Sequence, residues 1–140
     1  MEDIIELLKE NAHPSAFGGE LPDEDLLVEI EEQLFISMPD DLRVFLLEVS
    51  DLVIGALEPV TVTDPYSHTY LPEVAAIAWD QGVPRNLLPI CQQYLPEQPN
   101  GFYCIEEHGE VSYWQGASRT EDDWPSIWHW AKEVWLGEDN

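Results

Sequence analysis

Four histidines, two cysteines and 29 carboxylates are the side chains through which this 140-residue sequence could do chemistry. His13, His68, His108 and His129 are scattered, with none at the spacing of a metal site, and each reads as a surface or turn residue. Cys91 and Cys104 form no Cys-x-x-Cys pair and are expected as reduced, buried thiols. A hairpin turning near 96–100 would place their strands side by side, which leaves a bond open in an oxidising compartment. Phosphate loops, dinucleotide fingerprints, nucleophile elbows and zinc-protease motifs are absent from the sequence. The runs Asp23-Glu24-Asp25, Glu31-Glu32 and Glu121-Asp122-Asp123 offer the hard oxygens that Ca²⁺ or Mg²⁺ prefer. They lack the glycine-centred loop and following bidentate Glu of a calcium site, so solvated faces are expected. No catalytic residue, metal or cofactor is assigned, and the expected activity is non-catalytic.

The charge balance is the most informative number. Against 29 acids stand 5 Lys and Arg, a formal net charge of −24. Residues 1 to 41 alone hold thirteen acids and one base, Lys9, a net of −12 and half of the total. Such a field repels nucleic acid and anionic membrane surfaces, speeds encounter with a basic protein, and also simply keeps a protein in solution. An acidic surface can further imitate nucleic acid and occupy the binding site of a basic protein such as a nuclease.

The elements that must carry these residues follow from periodicity. Ile4, Ile5, Leu7 and Leu8 predict an amphipathic helix over 2–10, followed by a loop over 12–20. A second helix starting near Pro22 carries Leu26, Leu27, Ile30 and Leu34 on one stripe and acids around it. Met38-Pro39-Asp40-Asp41 opens a third, ending near Ser50-Asp51, and Leu71 to Trp79 reads as a fourth. Strand pieces are expected at Val53-Ile54-Gly55 and 58–63. An antiparallel meander of three strands is expected at 87–94, 101–106 and 110–115, its last two strands joined by a tight turn at 107–109. Residues 118–123 read as an acidic loop, and a final helix brings Trp124, Ile127, Trp128, Ala131 and Trp135 to one stripe with Trp130 at its edge. Of Tyr113 and Trp114, adjacent on a strand, one must face outward. With no repeat or long linker, residues 1–140 are expected to form a single α+β domain: a central, largely antiparallel sheet with N-terminal helices and a C-terminal helix packed on it. No apolar run is long enough to span a bilayer, and Met1-Glu2-Asp3-Ile4-Ile5 lacks the positive region of a secretory leader, so the expected address is the cytoplasm.

The order of these features resembles the SUKH superfamily, which includes fungal cell-wall regulators and many bacterial proteins of similar size. The residues that carry the resemblance are Met38-Pro39-Asp40-Asp41-Leu42 with Phe45-Leu46, then Trp79, Leu88-Pro89-Ile90, the strand from Gly101 to Ile105, Gly109-Glu110-Val111 with Trp114, and the closing tryptophan-rich helix. They span most of residues 22 to 136. Ser50-Asp51-Leu52, where Asn-Gly or Gly-Gly is common, and Cys104, near a frequent acid, depart from the pattern.

The resemblance implies an α+β fold, and, since many bacterial members look like immunity proteins, a chain that binds and neutralises a cognate toxin, often a nuclease. The expected partner is therefore such a toxin or another basic protein, with no direct nucleic-acid or membrane contact. An intracellular scaffold or regulator of an endogenous partner is the alternative, and a small enzyme with an unfamiliar site comes third. The first candidate contact face is Asp23, Glu24, Asp25, Glu29, Glu31 and Glu32; the second is Glu121, Asp122 and Asp123 beside Trp130.

Overall fold

The computed structural model describes residues 2–12, 21–52, 54–55, 57–93 and 101–137. Most of the expected 12–20 loop, Val53, Tyr94 and the turn at 96–100 lie outside those residues. Three helices come first: α1 (Glu2–Asn11), α2 (Glu24–Leu34) and α3 (Asp40–Val49). A stretch held by isolated bridges follows, then α4 (Leu71–Asp80) and four strands, β1 (Leu88–Gln93), β2 (Gly101–Ile105), β3 (Val111–Gln115) and β4 (Ser118–Trp124). The chain closes in α5 (Ile127–Trp130), which widens into a π-helical turn over Ala131–Trp135.

The sheet is antiparallel throughout, in the order β1-β2-β3-β4. The first three strands are the expected meander. Instead of strands at 53–55 and 58–63, the chain makes single bridges, Ile54 to Leu57, Pro59 to Cys91 and Thr61 to Tyr70. The bridge between Pro59 and Cys91, with Val60 N–H donating to the Ile90 carbonyl at 2.9 Å, covers the outer edge of β1.

Two expectations fail at the C-terminal side. Residues 118–123 are not a loop but most of β4, joined to β3 by a two-residue turn with Gly116 at φ 58°. The polar run Ser-Arg-Thr-Glu-Asp-Asp hides this strand, because an outermost strand needs no alternating apolar face. Between the pairs Ser112–Asp123 and Trp114–Arg119, β4 carries two extra residues. Thr120 stitches that bulge, donating its hydroxyl to the Tyr113 carbonyl at 3.0 Å and accepting the Asp122 N–H at 3.2 Å. The last helix also starts later than periodicity suggests. Trp124 precedes Pro125 and is held extended as the end of β4, while Ser126 caps the helix by accepting the His129 N–H at 3.2 Å.

A core built from all these elements lies between the helices and the sheet. Phe45 of α3 meets Trp128, Trp130 and Trp135, and Tyr103 of β2 meets Trp130 from the other side. The final helix is thus sandwiched, and its apolar arc is wider than that of a helix packed on one face. Gly101 is required by close approach: a Cβ there would fall 1.9 Å from the Tyr113 hydroxyl oxygen, which crosses the strand to donate to Gln93 Oε1 at 2.7 Å.

An acidic groove as the candidate functional site

The six acids of the first candidate face divide by what they touch. Asp23 is the N-cap of α2, its Oδ1 accepting the Leu26 N–H at 2.9 Å. Glu24 and Glu31 both bind the Arg43 guanidinium of α3, Glu24 at 3.2 Å, and Glu31 also accepts the Met38 N–H at 2.7 Å. Asp23 thus closes the helix's own first turn, while Glu24 and Glu31 tie α2 to α3. Asp25, Glu29 and Glu32 are exposed and have no hydrogen-bond or ion-pair partner among the described residues. At 100° per residue they share one line along the helix.

Between the unpaired row and the Arg43-bound row runs a line that sequence reading missed, Val28 and Phe35, seven residues apart. Val28 is 45% exposed and Phe35 is 89% exposed. Phe35 ends α2 in the left-handed conformation, φ 56° and ψ 36°, with its N–H donating to the Glu31 carbonyl. Glycine or asparagine usually fills that position, because a Cβ is strained there. A phenylalanine directly after the last core leucine reads in sequence as one more core residue.

Phe35 stands at the end of a groove. A shallow concavity of about 340 Å³ is lined by Val28, Glu31, Glu32 and Phe35. It shares Ile36 and Ser37 with a second of about 540 Å³ that reaches Leu88, Ile105, Glu106 and Glu107. The second shares Asn86 and Glu106 with a third of about 630 Å³ that ends on Trp114 and Arg119. Glu106, Glu107 and Glu110 were not among the candidates, since in the sequence they look like an ordinary polar turn. The turn is closed by Gly109 at φ 98° and by the Glu106 side chain, which accepts the His108 and Glu110 N–H groups at 2.8 and 3.1 Å.

The second candidate face is built differently. Glu121, Asp122 and Asp123 are exposed on β4, the outermost strand of the sheet, and do not line the groove. Asp123 lies 3.5 Å from the Arg119 guanidinium, which also reaches Glu110 at 3.2 Å. Charges along a free edge prevent another strand from pairing with it, and this accounts for the triad without a partner. Trp130, chosen as the aromatic anchor of that face, is fully buried. Its ring lies 5.4 Å from Tyr103 and 6.4 Å from both Phe45 and Trp135, so the position at the edge of the stripe is covered by the sheet. Of Tyr113 and Trp114, Tyr113 is buried and Trp114 half-buried, its Nε1 donating to Ser112 Oγ at 2.9 Å.

The reactive groups are placed for structure. Cys91 lies opposite Tyr103 and Cys104 opposite Pro89, because one extra residue on β1 shifts the register; both are free thiols. Burial pushes the Cys91 thiol up to about 12 and raises Cys104 as well, so neither is a thiolate near neutral pH. Ser126 Oγ lies 2.7 Å from His129 Nδ1, a hydroxyl beside an imidazole, yet the same oxygen is occupied as the helix cap. His68 pairs with Glu58 on the surface. Among the described residues no three His, Cys, Asp or Glu converge as a metal site, and no helix is long and apolar enough to cross a membrane.

Comparison with known proteins agrees with this architecture. A crystal structure of a protein from Pseudomonas syringae pv. tomato superposes with a TM-score of 0.88 at 58% sequence identity, covering 98% of this chain and 99% of that one. A search of the curated proteins returned no match. The family model SUKH_5, described as "SMI1-KNR4 cell-wall", matches residues 1–136, and the chain belongs to that family.

Proposed function

We propose that this chain is a non-catalytic protein-binding domain, and that it serves as an immunity protein which binds and neutralises a basic toxin. The observation that carries the reading is the exposed side of α2, where Asp25, Glu29 and Glu32, without side-chain partners among the described residues, run beside the exposed Val28 and Phe35. Partner-free charge of one sign, concentrated beside apolar surface, suits a partner of opposite sign: the field raises the encounter rate and the apolar contact holds the complex. A nuclease toxin fits because its own site must be cationic to hold phosphates. An interface of ordinary size buries roughly 1,600 Å² in total, so a patch of this kind would form its centre.

The test is co-expression with the product of the neighbouring gene. A lethal neighbour should become tolerated and co-purify with this chain; lethality with neither rescue nor complex counts against that pairing. The family description, which refers to the cell wall, favours a second reading as a regulator of an endogenous partner. That reading predicts a specific complex in a strain with no toxin gene nearby.

A further inference from the structure

We infer that the groove starting at Phe35 takes a cationic segment of another protein, with an apolar side chain of that segment packed on Phe35 and Val28. This rests on the protein-binding reading above and adds which surface is used and what kind of segment occupies it.

Nothing among the described residues accounts for the exposure of Phe35. The residue is 89% exposed, and its backbone occupies a conformation in which glycine would be less strained. Truncating it would leave the core intact, since α2 packs through Leu27, Ile30 and Leu34. Aromatic residues ringed by polar groups carry a large share of interface energy when a partner covers them. The walls identify that partner. Glu31, Glu32, Glu106, Glu107 and Glu110 line the three adjoining concavities, Glu31 holding Arg43 from behind; of the two basic side chains among the lining residues, Arg119 is engaged with Glu110 and Asp123, and His108 lies 3.4 Å from Glu107. A second copy of this chain would bring the same carboxylates face to face. Nucleic acid and anionic lipid carry the same sign. A Lys- or Arg-bearing protein segment complements the walls, and its apolar residue complements the Phe35 end.

The probe is a fluorescein-labelled amphipathic helical peptide of Lys and Leu, compared with a scramble of identical composition, read by anisotropy. The patterned peptide should bind more tightly than the scramble. Phe35→Ser should weaken it about tenfold or more, and Tyr66→Ser, which removes an aromatic 97% exposed elsewhere, should not. Phe35→Gly should bind as weakly as Phe35→Ser while its melting temperature is not lowered, because glycine tolerates the left-handed cap. Glu106→Gln with Glu107→Gln should weaken binding about threefold and flatten its salt dependence.

Equal affinity for the scramble, equal effects of Phe35→Ser and Tyr66→Ser, or no effect of the Glu106 and Glu107 pair would overturn the proposal. So would a dimer of the free protein that Phe35→Ser dissolves, since the occupant would then be a second copy. The two readings fail separately. Toxin rescue that survives Phe35→Ser sinks the groove and keeps immunity; Phe35-dependent peptide binding by a chain that rescues from no lethal neighbouring product does the reverse.

Discussion

Two short runs of three acids, Asp23-Glu24-Asp25 and Glu121-Asp122-Asp123, look alike as sequence and end in different physical settings. The first opens α2, where one carboxylate caps the helix, one holds Arg43 and one is left unpaired, beside a line of exposed apolar side chains. The second lies along the outer strand of a sheet, where charge is what a free edge needs in order to stay unpaired. Their aromatic neighbours differ in the same sense. Phe35 projects from the surface at the end of α2, while Trp130, near the β4 triad in sequence, is locked between Tyr103 and Phe45. Acidity alone therefore does not mark a contact face, and carboxylates without a partner among the described residues occur in both settings; the uncovered apolar line of Val28 and Phe35 distinguishes α2 from β4.

That contrast can be broken by experiment, beginning with the largest effect. Trp130→Ala should cost about 3–5 kcal/mol of unfolding free energy, since it empties a fully buried site between helix and sheet. A loss below about 1 kcal/mol in a denaturant titration would return Trp130 to the surface and restore the β4 face as a candidate.

A second separation uses alkaline pH. The thiols and phenols whose ionisation burial resists, Cys91, Cys104, Tyr103 and Tyr113, sit in the sheet, and α2 has none of either kind. The sign follows from the raised values. Below the ordinary thiol value of 9.0 the folded and unfolded chains bind the same protons at Cys91; above it the unfolded chain loses one that the folded chain retains up to about 12. Stability should therefore fall as pH rises from 9 towards 12, and Cys91→Ala should flatten that fall. A midpoint that stays level across this window would contradict the buried-thiol account.

The third effect concerns the edge itself. Glu121→Val with Asp123→Val should leave partner affinity within about twofold but produce concentration-dependent self-association in sedimentation, because the edge loses its charges. Loss of partner affinity with no self-association would reverse the roles assigned to the two regions.

Much of this molecule was legible before its structure. The α2 stripe of Leu27, Ile30 and Leu34, the third helix with Phe45 and Leu46, and three of the four strands follow from period and turn chemistry alone. β4 was not legible, because its pairing is dictated by β3 and a bulge rather than by its own apolar pattern. Trp130 was misplaced because a helical wheel assumes one covered face, and α5 is covered on two. At the candidate site, charge singled out α2 but could not tell Asp25, Glu29 and Glu32, which are unpaired among the described residues, from Asp23, Glu24 and Glu31, which are used by the fold. The exposure of Phe35 and the groove leading to Glu106 and Glu107 exist only once the segment joining α2 to α3 is brought to the β2–β3 turn.

The central claim, that the α2 side meets a basic partner while the β4 edge does not, is tested most directly by association kinetics with a toxin that co-expression has shown to be neutralised. Stopped-flow rates should fall steeply as salt rises from low to physiological. Asp25→Asn, Glu29→Gln and Glu32→Gln together should slow association and flatten that slope, whereas Glu121→Gln with Asp122→Asn should change both only slightly. A steep slope retained by the α2 variant and lost by the β4 variant, or no salt dependence in the unaltered protein, would contradict the account.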